Sequence, residues 1–340
     1  MFFSRNRSKL GIDIGTSSIK VVQIKNQQDG KLFLETYGAV NVSLKADPKE
    51  GFDAITETAE ILKTLLLKSR VTSKKVVASL PNNIVFVTMI EMPELSDKEL
   101  KDAIEWEARR YVPLPLEEVT LSWSVLRDGS APSGNKLRVL LTAVPTTVID
   151  NYLKMFKMAG LEPMALEIEA LALIRSLVGS RKDSFLIIDV GARNTSLNLV
   201  DKGFLRVSRN ILVGGETITA GIAEGLRISA VRAEQFKKDL GLSAPAQQIP
   251  QSIRPPLDSI KSEITQLINI FEAGGGSIAE IIFAGSGSRL PGLTQYFSDI
   301  GPKVGMGDPL KFITFNPQLQ ANLQQVSLDL SVAIGLAMRE

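Results

Sequence analysis

Two copies of one short pattern, 176 residues apart in a chain of 340, restrict the possible folds more than any other feature. The first is Asp13-Ile14-Gly15-Thr16-Ser17, the second Asp189-Val190-Gly191-Ala192-Arg193-Asn194-Thr195. Each lies between runs of alternating β-branched residues, which predicts strand–turn–strand. Successive amides in a glycine turn form a concave anion site, and Gly lets backbone approach a phosphate. An Asp at the strand end can hold Mg²⁺ through water, and Lys20 adds a point charge. A single Asp-x-Gly is usually an ordinary turn. Two copies half a chain apart carry more weight, and a third glycine turn, Ala284-Gly285-Ser286-Gly287-Ser288-Arg289, follows a third strand. It suits a nucleoside resting on bare backbone, or equally a strand-to-helix connection with Pro291 in the first helical turn.

Composition narrows the chemistry. With no His and no Cys, imidazole bases, Ser-His-Asp triads, thiolate metal sites and disulfides are excluded. Carboxylates, Lys, Arg, hydroxyls and amides remain. Thirty-nine basic against 37 acidic residues leave a net charge of +2, too small to argue for nucleic acid. Apolar runs fall short of the ~18 residues that cross a bilayer. The N-terminal MFFSRNRSK has no apolar stretch after it and reads as a solvated terminus, or as one that brushes an anionic membrane surface.

The pattern of elements predicts strands at 10–24 (two), 32–42, 75–80, 85–91, 120–126, 137–144, 185–190, 195–201 and 281–284. Helices are expected at 53–69, from the Ser96/Glu99 capping box to Tyr111, at 147–159, 167–178, 214–240 (broken near Gly225), 257–273 and 328–338. The stretches 128–135 and 243–256 read as loop and linker. A β-α-β-β unit at 84–149 reads as an inserted α+β subdomain.

The three glycine turns resemble, in order, the two phosphate motifs and the adenosine motif of the actin, heat-shock chaperone and sugar-kinase superfamily. That resemblance implies a two-lobed actin-like (ribonuclease H-like) α/β fold with Mg·ATP in the cleft. It assigns cofactor binding to Asp13, Gly15, Thr16, Ser17, Lys20, Gly191, Ala192, Arg193, Asn194, Gly285, Ser286, Gly287 and Arg289, with Asp13 and Asp189 on Mg²⁺ through water. Gly214-Gly215 resembles the turn opening the second lobe's smaller subdomain, and Glu234 with Lys237 resembles that superfamily's AExxK nucleoside helix. The same two residues fit an i,i+3 salt bridge on a solvated face. Glu169 falls near the position that orients attacking water, with Asp189 beside it as a catalytic candidate. Glu167 and Glu169 fit equally as solvent-facing acids at a helix N-terminus. Ala192-Arg193-Asn194 departs from the family's glycines, which favours binding over efficient hydrolysis and leaves at most slow ATPase activity.

The insertion point resembles FtsA-related proteins and, over nearly the whole chain, the PilM family of type IV pilus assembly. Leu10–Lys20, Val77–Pro81, Met92–Leu100 and Ala103–Leu116 carry that resemblance, the last most specifically, since nucleotide binding does not require it. It implies four parts: a first-lobe core at 1–83 (with 150–184 and 325–340), the insertion at 84–149, a second-lobe core at 185–213 (with 274–324), and its subdomain at 214–273. The implied partner is the cytoplasmic N-terminal tail of PilN, docked between insertion and first lobe, at the cytoplasmic face of the inner membrane. Pilus assembly ATPases and self-association are further implied contacts. Trp106, Arg109, Arg110 and Tyr111 are candidate partner-binding residues; Trp106 could instead pack on its own sheet. Because the chain stops at Glu340 without an amphipathic membrane helix, membrane contact is expected to be indirect. The alternatives are an FtsA-like filament former and a small-molecule kinase.

Overall fold

The computed structural model describes residues 8–42, 52–126, 136–243 and 249–339. The extreme N-terminus, the 128–135 loop and the middle of the predicted 243–256 linker lie outside the described residues. Strands β1 (Ser8–Ile14), β2 (Ser18–Asn26), β3 (Leu32–Asn41), β4 (Lys75–Leu80) and β8 (Glu162–Ile168) form one sheet in the order β3-β2-β1-β4-β8. Strands β1 to β3 are antiparallel neighbours; β4 and β8 join in parallel. The second sheet repeats this plan. Here β9 (Phe185–Val190), β10 (Thr195–Asp201), β11 (Phe204–Ile211), β12 (Glu280–Ala284) and β13 (Lys303–Met306) run in the order β11-β10-β9-β12-β13, with the same senses.

The repeat reaches individual residues. Asp13 pairs with Lys20 across the first hairpin and Asp189 with Ser196 across the second, so the 176-residue offset matches Asp13 to Asp189 and Lys20 to Ser196. Alternation of side chains along β2 divides the first sheet's faces. Leu10, Ile12 and Val21 share a core with α1 (Phe52–Lys68) and α3 (Thr146–Met158). Val22 and Ile24 pack on the other side against α9 (Gln320–Val326) and α10 (Ser331–Ala337). In the second lobe, Leu186, Ile188 and Leu197 pack with α5 (Gly215–Leu226), α6 (Ala230–Asp239), α7 (Arg254–Ala273) and the short α8 (Leu293–Tyr296). Ile187, Val200 and Ile282 face the opposite way, onto α4 (Glu169–Leu173), the π turn Ile174–Val178 and α10.

Helices α4 and α10 thus lie between the lobes, and glycine permits the closeness. A Cβ on Gly11 would collide with the Ala333 carbonyl, and one on Gly335 with that of Ala172. The insertion is a three-stranded antiparallel sheet, β5 (Phe86–Pro93), β7 (Lys136–Pro145) and β6 (Val119–Leu126), in the order β5-β7-β6. Helix α2 (Asp97–Tyr111) covers it through Leu100, Ile104 and Ala108. Glu99 accepts a hydrogen bond from the Ser96 amide, as the capping box predicts, and a second from the Ser96 hydroxyl.

The expected helix at 167–178 needs correction. Glu167 is the penultimate residue of β8, and the helix starts at Glu169. Glu167 does not face solvent: it is 8% exposed and held between Arg175 and Arg339. Strands β11 and β13 were not predicted, and α7 begins three residues before the expected Leu257, with Pro255 and Pro256 in its first turn.

Candidate functional site

The C-terminal ends of β1 and β9 point into a cleft between the lobes. Each hairpin turn closes on one backbone bond, Gly15 N–H to Ser18 O at 3.0 Å and Gly191 N–H to Asn194 O at 2.9 Å. Among the described residues, no acceptor is found for the amides of Thr16, Ser17, Ala192 and Arg193. The glycine in the second turn has a local reason beyond ligand approach, since a Cβ on Gly191 would sit 2.9 Å from Asn194 O. At the end of β12, Gly285 adopts φ +80°, and a Cβ there would run into Asp189 Oδ1; Gly287 abuts Val190. The third turn is therefore bare backbone packed on the base of the second.

Twelve of the predicted residues line this cleft. The first turn supplies Asp13, Gly15, Thr16, Ser17 and Lys20, and the second Asp189, Gly191, Ala192 and Asn194. Glu169 joins from the start of α4, and Gly285 with Ser286 from the third turn. Seven others stand outside the lining. Arg193 turns outward and pairs with Glu216 at 3.3 Å. Gly214 and Gly215 staple α5 to the second turn: Gly215 N–H donates to Gly191 O and Glu216 N–H to Ala192 O, while a Cβ on Gly214 would lie 2.6 Å from that same Ala192 oxygen. Lys237 donates to Gly215 O at 3.0 Å and to Thr219 Oγ1 at 2.8 Å, and pairs with Glu234 at 2.6 Å. It is an inward tie between α6 and α5, so the reading of a wholly solvated face is wrong for Lys237. Gly287 supports Val190, and Arg289 pairs with Asp329 at 3.2 Å.

The two aspartates occupy equivalent places in unequal surroundings. Asp13 accepts from Lys20 Nζ and from Ser79 Oγ, both at 3.0 Å. At the matching positions Asp189 meets Ser196 and Ala284, which supply no positive charge. Burial, then the charges of Asp13 and Asp329, push the Asp189 carboxyl up to about 6, against the pull of Lys20. Burial followed by Asp13 and Asp189 holds Glu169 well above the usual carboxylate range, opposed by Lys20 and the Asn82 amide. For Lys20, burial disfavours the charge, but Asp13 and then Asp189 and Asp329 outweigh it and raise its pKa. Among the described residues the cleft thus gathers carboxyl groups around one ammonium, and their burial makes the charged forms costly.

Asp329 is a cleft residue the sequence reading missed, as are Ser18, Asn83, Ser196 and Ser331. The 176-residue offset from Lys20 would have found Ser196. Nothing local marks Asp329, which falls within the expected 328–338 helix and lies in the turn Ser327–Leu330 that precedes α10.

The donors suit a nucleoside polyphosphate: free turn amides, hydroxyls, one lysine and a glycine cradle that any Cβ would fill. Among the described residues no group of three or more carboxylates can hold a metal ion by itself. The candidate partner residues are elsewhere, on α2 and its end. Trp106 is 64% exposed and Tyr111 42%, so Trp106 does not pack on its own sheet. Arg109 and Arg110 are exposed beside them and pair with Glu117 and Glu107. Among the described residues no helix is long and apolar enough to cross a membrane.

Comparison with known proteins agrees with this architecture. The cell division protein FtsA of Streptococcus pneumoniae is 24% identical over 90% of this chain and 77% of its own length. A solved PilM-PilN type IV pilus biogenesis complex superposes with a TM-score of 0.86 at 26% identity, covering 98% of both chains. MreB5 of Spiroplasma citri bound to AMPPNP shares the fold, with a TM-score of 0.51 and 16% identity over 97% and 95%. The family model described as type IV pilus assembly protein PilM matches residues 11–340. This chain, with its actin-like fold and inserted α+β subdomain, belongs to the PilM family of type IV pilus assembly proteins.

Proposed function

We propose that this chain is an ATP-binding adaptor at the cytoplasmic face of the inner membrane, which binds the N-terminal tail of PilN in a nucleotide-sensitive way. The observation that carries the nucleotide half is the pair of equivalent turns lining one cleft, with their free amides and with Lys20 as the one cation lining it among the described residues. Thr16, Ser17, Ala192 and Asn194 would hold the phosphates, and Gly285 with Ser286 the nucleoside side. Glu234, Lys237 and Arg289 would act from behind, by fixing α5, α6 and the third turn. Bound magnesium would offset the surplus carboxylate charge, with Asp13 and Asp189 ordering its water. Glu169 would orient a water; burial and the neighbouring Asp13 and Asp189 raise its pKa, which strengthens the carboxylate as a base and also keeps it protonated to higher pH.

The partner half rests on the family and on the solved PilM-PilN relative, which covers 98% of this chain. We assign the dock to the groove between the insertion (84–149) and the first-lobe core (1–83, with 150–184 and 325–340). Trp106, Arg109, Arg110 and Tyr111 extend its contact surface. Nucleotide would act by drawing the second-lobe core (185–213 and 274–324) and its subdomain (214–273) toward the first, shifting the groove only by its differential affinity for the two states. The test is fluorescence anisotropy of a labelled PilN-tail peptide with and without Mg·ATP. A reproducible change in Kd supports the coupling; equal Kd values contradict it. The FtsA likeness also supports a filament-forming reading, which pelleting on addition of ATP would favour.

A further inference from the structure

The 176-residue offset places Arg193 opposite Ser17, so the second turn carries a long cation where the first has a hydroxyl. Its neighbours Ala192 and Asn194 both line the cleft, which sets the Arg193 backbone at the rim. The side chain is 57% exposed and reaches Glu216 by one bond, Nε to Oε2 at 3.3 Å. An exposed single-point pair contributes little. Glu216 would not be stranded by losing it, because it is equally exposed and lies in the first turn of α5, where the helix dipole favours an acid.

The cleft has a reason to recruit such a cation. Asp13, Glu169, Asp189 and Asp329 line it against Lys20 alone, and Lys20 is bonded to Asp13. Other described basic side chains near it are engaged: Arg289 with Asp329, Lys237 with three acceptors on α5 and α6, and Lys238 with Glu234. A polyphosphate adds more negative charge, and magnesium offsets only part of it. Position along the turn indicates which phosphate is reached. Gly285 abuts the turn's base at Asp189 and Val190, while Arg193 lies four residues on from Asp189, beyond the cleft-lining Gly191 and Ala192.

We propose that Arg193 is a two-position clamp that leaves Glu216 for the terminal phosphate of a bound nucleoside triphosphate, so that the cleft separates triphosphate from diphosphate. This rests on the nucleotide-cleft reading above. An arginine also forks onto phosphate oxygens with geometry a lysine lacks.

The experiment is calorimetric titration of Mg·AMPPNP and Mg·ADP into the full chain and three variants: Arg193→Ala, Glu216→Gln and the double substitution. Arg193→Ala should weaken AMPPNP about tenfold, as expected for one charge-assisted contact, and ADP less than about threefold. Glu216→Gln should tighten AMPPNP, and that gain should vanish in the double variant. Because both side chains are exposed, all three should melt like the wild type, which a thermal scan checks. If the wild type binds both nucleotides and Arg193→Ala keeps their affinity ratio, the clamp is refuted while the cleft stands. If the wild type binds neither, the cleft reading fails and takes the clamp with it.

Discussion

Asp189→Asn should make the nucleotide-free protein more stable while weakening its hold on Mg·ATP. The Asp189 carboxyl titrates at about 6 against an ordinary 3.8, because it is buried, lies near Asp13 and Asp329, and has Ser196 where Asp13 has Lys20. A shift of about two units means that carrying this charge costs the folded state about 3 kcal/mol at pH 7.5. The folded protein keeps the proton up to about pH 6, whereas the unfolded chain releases it near pH 4. Asp189's contribution to stability therefore falls as pH rises through that window. Asparagine keeps the shape without the charge. At about 2 cal/mol/K of unfolding entropy per residue, 3 kcal/mol is roughly 4 °C in Tm for a chain of this length. Thermal scans of wild type and Asp189→Asn from pH 4 to 8, without nucleotide, are the assay. The variant should melt higher at pH 7.5, and the difference should close toward pH 4. A variant that melts lower at pH 7.5, or a difference independent of pH, would refute the electrostatic argument.

Three further outcomes follow from the packing and the exposed surface. Gly335→Ala drives a methyl into the Ala172 carbonyl where α10 meets α4, and should cost about 1–3 kcal/mol in urea unfolding. Gly285→Ala meets Asp189 Oδ1 at positive φ, so it should lower both stability and nucleotide affinity, read by thermal scan and calorimetry. Trp106→Ala should leave stability within about 0.5 kcal/mol, since the ring is 64% exposed, yet weaken PilN-tail binding about tenfold or more. Unchanged peptide binding there would remove α2 from the dock.

The residues that made the fold legible are those whose signal is local. Asp13-Ile14-Gly15 and Asp189-Val190-Gly191 show the repeat, Ser96 with Glu99 marks the start of α2, and Gly160 at φ +73° ends α3. Where the reading failed, tertiary pairing overrode local preference. Glu167 to Leu171 looks helical, but residues up to Ile168 add as an edge strand to β4, with a register shift between Val76 and Val77 that admits Met164 as an extra residue. Strand β13 has four residues and exists only through its pairing with β12. Asp329 joined the site by topology alone, because the chain returns to the interlobe seam after β13. The inward role of Lys237 was equally hidden, since its main acceptors, Gly215 and Thr219, lie 22 and 18 residues away in sequence.

Calorimetric titration of Mg·ATP into the wild type and Asp13→Ala tests the cleft most directly. Asp13 holds Lys20 at 3.0 Å and bonds Ser79, so its loss should disorder the lone ammonium and remove one of the two carboxylates assigned to the magnesium's water. The account predicts a measurable Kd for the wild type and a loss of at least about tenfold for the variant. Equal ATP affinity in the two proteins would place nucleotide somewhere other than between these turns.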